Sequence, residues 1–524
     1  MLAGYLRGPT HPLKCRKVQN REAVQQRTDE PSRSEVPLAY RAVRGGLWVA
    51  VSSYWTLAFG FVANIVLTRI LSPDDFGVFS LALFFAQLLR LQTKLGLGYA
   101  FGQYRETTGE SVGTYAAMDA AAALCGPVLM GLAAPILLRL GYDRLVVWAA
   151  LVLALAAFME GLSSIAGTLL EKGLHFGTVS LYQGIAFPLS YIPAFWLATH
   201  GGEVWSLVAQ TTTYSFFWLG VWWVVRRRVP RLWDEPWRFR PDLARHFLRF
   251  GATTGLWLMA GMLFSQLDNF LIGTFAGVTA LGYYDRAYRM AQWSGLLLNA
   301  VLSRPAFYTY ARLQDDRPRL EKTATMVTWA IGMVAVPLAI AVFIAAPEII
   351  ALLYGERWLP SALFLQILIA FFVVRPHLEN AGVLLNAMGK PARAAALLWA
   401  QVGVLGVVGL PLTLRWGALG TCGAIGLALL LGMGLAYRYV RRELTANLGA
   451  AFGFPVLVGA TVLLGYAVAL RFIPMENLGL FLRFLIKATW SFVAFYALTF
   501  ALRPRETGER VRYVWGLMRR TPNP

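Results

Sequence analysis

Apolar runs of about 20 residues recur along this chain, each long enough to carry a helix across the roughly 30 Å hydrocarbon core of a bilayer at about 1.5 Å per residue. In lipid no water satisfies the backbone, so a spanning segment must close its hydrogen bonds internally. The expectation is an all-α integral membrane protein of about 14 transmembrane helices. In the first half the segments are 46–70, 76–100, 114–138, 145–169, 177–199 and 203–225. The second half gives 248–275, 281–303, 323–346, 361–386, 392–414, 417–438, 451–471 and 480–502. Asp285, Arg286 and Arg289 interrupt the segment 281–303.

Hydrophobic residues make up 57% of the chain and charged residues only 15%. Soluble proteins carry about 25% charged residues, so this chain has too little polar side chain to cover a water-exposed surface. The formal net charge is +20. A basic balance can mark nucleic-acid binding. Here the cations sit in short clusters between apolar segments, as cytoplasmic loops do, and no nucleic-acid partner is expected. Cys15, Cys125 and Cys422 form no metal or disulfide pattern and read as small buried residues.

The basic clusters fall on alternate linkers. The sixth holds Arg226, Arg227, Arg228, Arg231, Arg238, Arg240, Arg245 and Arg249, and the eighth Arg312, Arg317, Arg319 and Lys322. Linkers such as Thr199-His200-Gly201-Gly202-Glu203 lack Lys and Arg. The positive-inside rule then places both termini in the cytoplasm. The expected organisation is a flexible cytoplasmic leader (1–41), a first lobe (42–225), a basic linker lying along the anionic leaflet (226–247), a second lobe (248–438), a final helix pair (439–502) and a cytoplasmic tail (503–524). The leader has no apolar stretch behind its basic start and is no secretory signal.

The two halves echo each other. Ile65 to Phe79 reads IVLTRILSPDDFGVF, and Phe270 to Tyr284 reads FLIGTFAGVTALGYY. Aligning Gly77 with Gly282 brings a helix end, a short turn and the next helix start into register. Ala134-Pro135 before Gly141 is matched by Ala346-Pro347 before Gly355. Echoes at corresponding helices and in the same direction imply a parallel repeat, with two pseudo-symmetric lobes around a central cavity.

No P-loop, H-E-x-x-H or Cys-x-x-Cys appears, so an enzyme or an ATP-driven pump is not expected. Charge within the spans is the feature to explain, since a charge at the bilayer centre costs at least about 2.5–3.5 kcal/mol. Arg90, Glu160 and Arg375 lie about 21 Å along their expected helices, too deep to reach water. Lys94 and Asp119 lie near helix ends, where they can snorkel. Asp285 with Arg289, and Arg375 with Glu379, are four apart and can neutralise each other. His377 reads as a hydrogen-bonded core histidine. Pro376 should kink the tenth helix. Trp218, Trp222 and Trp223 read as an interfacial belt. Tyr283, Tyr284 and Tyr288 sit beside Arg286 and Arg289, a grouping suited to stacking on sugars and binding phosphate.

These stretches resemble the bacterial polysaccharide transporters, the lipid-linked oligosaccharide flippases of the multidrug/oligosaccharidyl-lipid/polysaccharide exporter superfamily. The resemblance rests on Ala42 to Trp48, Thr68 to Gly77 (TRILSPDDFG), Leu95 to Gly98, Leu267 to Gly273 (LDNFLIG), Leu281 to Arg289 (LGYYDRAYR), Arg312 to Asp316 and Gly355 to Trp358. It covers about residues 42–400, and Arg304 to Tyr308 departs from it in basic and aromatic character. The resemblance implies alternating access and a polyprenyl-pyrophosphate-linked oligosaccharide as substrate. It also implies the bacterial inner membrane, and a polysaccharide polymerase and glycosyltransferases as partners. Arg90, Arg286, Arg289, Arg375, Tyr284 and Tyr288 are the expected substrate-binding residues. No cofactor or metal is expected. Glu160, Asp268 and Glu379 are candidates for coupling to a proton or sodium gradient. Alternatives are a cation-coupled drug or metabolite antiporter of the same superfamily and a peptidoglycan-precursor flippase.

Overall fold

The computed structural model describes residues 38–230, 234–445, 448–469 and 478–519. The expected leader, apart from its last residues, and Cys15 lie outside the described residues, as do the side chains of Arg304 and Pro305. Every regular element among the described residues is helical.

The first lobe opens with α1 (Leu38–Ile70) and α2 (Pro73–Leu89). Ser72 and Asp75 close a capping box at the start of α2, and Pro73 occupies its first turn, so one helix ends and the next begins within two residues. Next come α3 (Leu97–Gln103), α4 (Gly109–Arg139), α5 (Arg144–Lys172), α6 (Phe176–Thr199), α7 (Glu203–Leu219) and its short continuation α8 (Val221–Arg228). The second lobe holds α9 (Pro241–Phe275), α10 (Val278–Arg312), α11 (Arg317–Ile344), the short α12 (Ala346–Leu353), α13 (Ser361–Phe372), α14 (Arg375–Ala387) and α15 (Pro391–Arg441). The chain ends with α16 (Leu448–Ala469), α17 (Leu480–Leu502) and α18 (Pro504–Arg519), the last a helix within the expected tail.

Helix is present at each of the expected spans, and nine helices among the described residues are long and apolar enough to cross a membrane. One of the nine, the 51-residue α15, is a hairpin. Gly417 leaves helical backbone there with φ 58° and ψ −142°, which a side chain would oppose. Across this bend the Thr413 and Thr421 hydroxyls hydrogen-bond at 2.6 Å, and Gly432 packs on Gln401. The two arms match the expected 392–414 and 417–438.

Two spans differ from continuous helices. The expected 76–100 breaks after Leu89, with Arg90 extended and Gly96 at φ +60°. The break lets the carbonyls of Lys94 and Leu95 approach Gly255 and Gly251 of α9, where a Cβ would collide with them. Hydropathy cannot register such a break, since the apolar count runs through it. The expected kink at Pro376 is a two-residue turn at Val373 and Val374 between α13 and α14, whose backbone stays near helical values so that the two run on as one span; the proline falls in the first turn of α14, where no N–H is needed.

The parallel repeat is visible in contacts. A Cβ on Gly77 would strike the Val278 carbonyl, and one on Gly282 would strike the Pro73 carbonyl. Pro73 and Val278 correspond under the same alignment that pairs Gly77 with Gly282, so α2 and α10 cross at a pseudo-two-fold axis. Thr279 donates to Asp74, also an aligned pair. Gly141 and Gly355, the second echo, both adopt positive φ (89° and 96°).

The linker between the lobes is docked rather than loose. Gly109 N donates to Glu235 at 2.7 Å, Arg240 N donates to Thr114 at 2.9 Å, and Arg240 pairs with Glu110 at 3.1 Å. Gly113 admits the backbone of Trp237 and Arg238 against α4. Trp223 is exposed under Arg227, whose guanidinium lies 3.7 Å above the ring, as an interfacial belt requires. Trp222 instead turns inward and donates to the Leu162 carbonyl at 3.0 Å.

At the base of the α15 hairpin, Glu443 pairs with Lys390 and with Arg393, the latter at 2.6 Å. Hydrogen bonds from these two cations hold its carboxyl below the usual glutamate range. A depressed pKa contributes stability above the unfolded value, near about 4.3, that is lost as pH falls through the folded value. Glu443→Gln should therefore cost about 0.5 kcal/mol at pH 7 and nothing well below pH ~4, since the pair is close to solvent. Unfolding midpoints of both proteins against pH check this.

Candidate functional site

The lobes seal at the end carrying the α1–α2 turn. Arg69 donates to the Leu352 and Leu353 carbonyls at 2.5 and 2.9 Å, and the Trp358 indole donates to the Thr68 carbonyl at 2.9 Å. Arg357 donates to the Leu71 carbonyl. These contacts join backbone of one lobe to side chains of the other, so they depend on the lobes' relative position, and those from Arg69 and Arg357 are strengthened by the guanidinium charge.

Beyond the seal lies a cavity of about 1010 Å³, bounded by α2 and its broken continuation, α4, α5 and α9. That is the upper end of pockets for drug-sized ligands. Its wall carries three cations, Arg90, Lys94 and Lys172, and three carboxylates, Asp119, Glu160 and Glu171. Glu160, Ser164, Thr168 and Lys172 repeat every four residues along α5 and form one polar stripe. Tyr115 and Asp119 answer it from α4: Tyr115 donates to Thr168 at 3.3 Å, and Ser164 donates to Asp119 at 3.3 Å. From α9 the wall is closed by Leu258 and Met262.

Of the residues expected from the sequence, Arg90 and Glu160 line this cavity and pair at 3.1 Å. Arg90 does so from the end of α2, not from mid-helix. The others gather elsewhere, in three groups near the seal. Arg286 is 2% exposed, pairs with Asp285, donates to Asn64 and Thr68, and lies 4.0 Å from the Phe76 ring centroid. Its α10 face is thus held against α1 and α2 of the other lobe. Arg289, one turn further on that face, pairs with Asp285 at 3.0 Å and keeps 42% of its side chain exposed. Tyr284 and Asp268 are buried and joined by a hydrogen bond. Arg375 donates to Tyr288 at 3.4 Å and pairs with Glu379 at 3.2 Å, and Glu379 is 37% exposed. Arg286, Tyr284 and Asp268 therefore have the surroundings of fold-holding groups and do not reach the cavity. Both expected i, i+4 pairs are formed.

His377 departs from expectation. It is buried, neither ring nitrogen has a hydrogen-bond partner among the described residues, and its ring meets Phe452 edge-on at 4.6 Å. Gly332 also packs close to its ring.

Sequence reasoning set Lys94 and Asp119 aside as end-of-helix charges and passed over Tyr115, Thr168, Glu171 and Lys172. The signal for Thr168 and Lys172 was present in the four-residue spacing of polar groups along α5, a periodicity that hydropathy averaging removes.

Comparison with known proteins follows the same lines. Residues 66–363, more than half of the chain, match the family model described as polysaccharide biosynthesis protein. The teichuronic acid biosynthesis protein TuaB of Bacillus subtilis is 25% identical over 63% of this chain and 66% of its own length. The succinoglycan biosynthesis transport protein ExoT of Rhizobium meliloti is 25% identical over 59% of this chain and 62% of its own. The chain thus spans just under two thirds of these two relatives. In fold it is similar to the lipid II flippase MurJ in an inward closed conformation, with TM-score 0.70 at 12% identity over 87% of this chain and 99% of that one. It is also similar to an inward-facing multidrug resistance MATE family transporter, with TM-score 0.55 at 15% identity over 76% of this chain and 95% of that one. This multi-pass membrane protein, with its two lobes, belongs to the polysaccharide biosynthesis protein family.

Proposed function

We propose that this chain is a flippase that moves a polyprenyl-pyrophosphate-linked oligosaccharide from the inner to the outer leaflet of the bacterial inner membrane, for the synthesis of a surface polysaccharide. The observation that carries the reading is the cavity. A large open chamber between helices of both lobes, its largely apolar wall set with charged side chains, suits a cargo with a charged, sugar-bearing head and a lipid tail. Arg90, Lys94 and Lys172 offer donors for the diphosphate, and the guanidinium fork of Arg90 matches two phosphate oxygens. Tyr99 in the same wall is exposed and provides a face for sugar, whereas Tyr115 is buried with its ring stacked on Phe101.

In this reading the basic linkers face the cytoplasm with both termini, and the α1–α2 seal faces outward. Cargo enters from the cytoplasmic leaflet, the lobes rock about the α2–α10 crossing, and the head leaves outside while the tail stays in lipid. Without an ATP-binding motif, the drive is a proton or sodium gradient or downstream consumption. Glu379, partly exposed beside Arg375, is better placed to exchange a cation than the buried Asp268. A polymerase and glycosyltransferases are the partners in the cell.

In a strain lacking the gene, finished lipid-linked precursor should accumulate on the cytoplasmic face and surface polymer should disappear. Normal arrival of precursor at the outer leaflet would end the reading. Arg90→Ala should reduce export to below about a tenth while the protein still inserts, because removing one charge-assisted phosphate contact leaves the diphosphate poorly compensated. Surface polymer and membrane content of the variant, measured together, check this.

A further inference from the structure

A second cavity, a cleft of about 560 Å³, adjoins the chamber at the end of α3. It is lined by Gln103 and Tyr104 at that helix end, by Arg105 and Glu106 just beyond it, and by His246 and Phe250 of α9. Gln103 lines the chamber as well, so the two spaces share a wall. The base of the cleft is held firmly. The Tyr104 ring meets Phe247 edge-on at 5.6 Å and His246 at 5.8 Å, and the buried Phe247 packs edge-on against the buried Phe101 at 6.2 Å. The Lys172 ammonium donates to the carbonyls of Phe101 and Glu106 at 3.3 and 3.4 Å and lies 4.0 Å from the centre of the Phe101 ring. The chain from Phe101 to Glu106 is therefore pinned at both ends, with the half-buried Tyr104 ring fixed between them. The rim is exposed and polar, and its groups differ in kind: the Arg105 guanidinium only donates, the Glu106 carboxylate only accepts, and the Gln103 amide does both.

We propose that this cleft is a seat for the sugar of the cargo, with the Tyr104 ring as its platform and Gln103, Arg105 and Glu106 as its hydrogen-bonding groups, filled while the diphosphate is in the adjoining chamber. A sugar presents the matching surface: hydroxyls that both donate and accept, and a CH face that lies on an aromatic ring. A phospholipid phosphate calls for cations alone, and Glu106 disfavours it. The inference rests on the flippase reading and adds to it the residues that tell a sugar-bearing cargo from the bare lipid diphosphate. In that reading the cleft is at the cytoplasmic mouth, because α9 begins there directly after the basic linker. Two joined seats for two parts of one molecule raise affinity for the complete cargo without strengthening either contact.

The test uses the full chain in lipid nanodiscs with two probes, the lipid-linked precursor extracted from the strain lacking the gene and the bare polyprenyl diphosphate. Wild type should bind the precursor at least about tenfold more tightly than the bare diphosphate. Tyr104→Ala should weaken binding of the precursor by about fivefold or more and change that of the bare diphosphate by no more than about twofold. Tyr104→Phe keeps the ring and should stay near wild type. Glu106→Ala, at an exposed position where the fold does not depend on the side chain, should also weaken the precursor alone, by about fivefold. Arg249→Ala removes an exposed cation of α9 that does not line the cleft, and should change neither affinity by more than about twofold. Equal affinity of wild type for the two probes overturns the proposal, and so does an unchanged precursor affinity in both the Tyr104→Ala and Glu106→Ala variants. Equal weakening of both probes in these variants also overturns it, because the effect would then lie in the chamber or the fold. Binding of neither probe by wild type would strike the flippase reading itself, and this inference with it, a separate outcome.

Discussion

Asp285→Ala should destabilise the protein by about 3–5 kcal/mol, the cost of leaving a buried cation without its partner. Asp285 is 4% exposed and bridges two arginines of α10, Arg286 and Arg289. Arg286 is itself 2% exposed and held between lobes against Asn64, Thr68 and Phe76, so it has no path to water once the carboxylate is gone. Arg289, with 42% of its side chain exposed, can be solvated and should contribute little to the loss. Asp285→Ala combined with Arg286→Met should recover most of the stability, because removing both charges ends the desolvation cost. Reversible unfolding of the three proteins in mixed micelles measures these differences. A loss below about 1 kcal/mol for the single variant would mean that Arg286 is hydrated where the lobes meet.

Gly282→Val should abolish transport, and Gly77→Val should do the same. At each position a Cβ falls on a carbonyl of the opposite helix, Pro73 for Gly282 and Val278 for Gly77. Backbone cannot move aside as a side-chain tip can, so α2 and α10 must separate. Overpacking of this kind costs about 1–3 kcal/mol, and the cost falls on the state in which the crossing is closed. On the flippase reading, a protein that can no longer form that state stops cycling even when it folds. Transfer should fall below about a tenth of wild type in either variant. Gly403→Val, at a position where a Cβ meets nothing within 4 Å, should leave transfer unchanged and serves as the control. Transfer rates of the three variants at matched protein content decide the matter. Normal transfer in both Gly77 and Gly282 variants would show that the crossing is not where the lobes pivot.

The positions of these two glycines were legible in the sequence, since the alignment of Gly77 with Gly282 came from the repeat alone. What they do was not legible. That each meets the other lobe's backbone at an equivalent residue is a property of two helices crossing at an axis. The i, i+4 pairs at Asp285 with Arg289 and at Arg375 with Glu379 were also legible, because one helix fixes their spacing. The pairing of Arg286 with the same carboxylate, and its burial against Asn64, needed the second lobe in place.

Local physics determined much of this protein from its sequence. Hydropathy over about 20 residues sets where helices form, since lipid demands satisfied backbone over that length whatever the neighbours. Pro73, Pro376 and Gly417 end or bend helices by their own geometry. The cavity was decided only by the tertiary structure. Arg90 stands at the end of α2, where the chain leaves the helix and the carbonyls of Leu95 and Lys94 come against Gly251 and Gly255 of α9. Lys94, Asp119, Glu160 and Lys172 became one site because α2, α4 and α5 turn their polar stripes to a common space. A charge in a span must find a partner or a cavity, but which of the two it finds depends on the helix packed opposite, which its own segment does not encode.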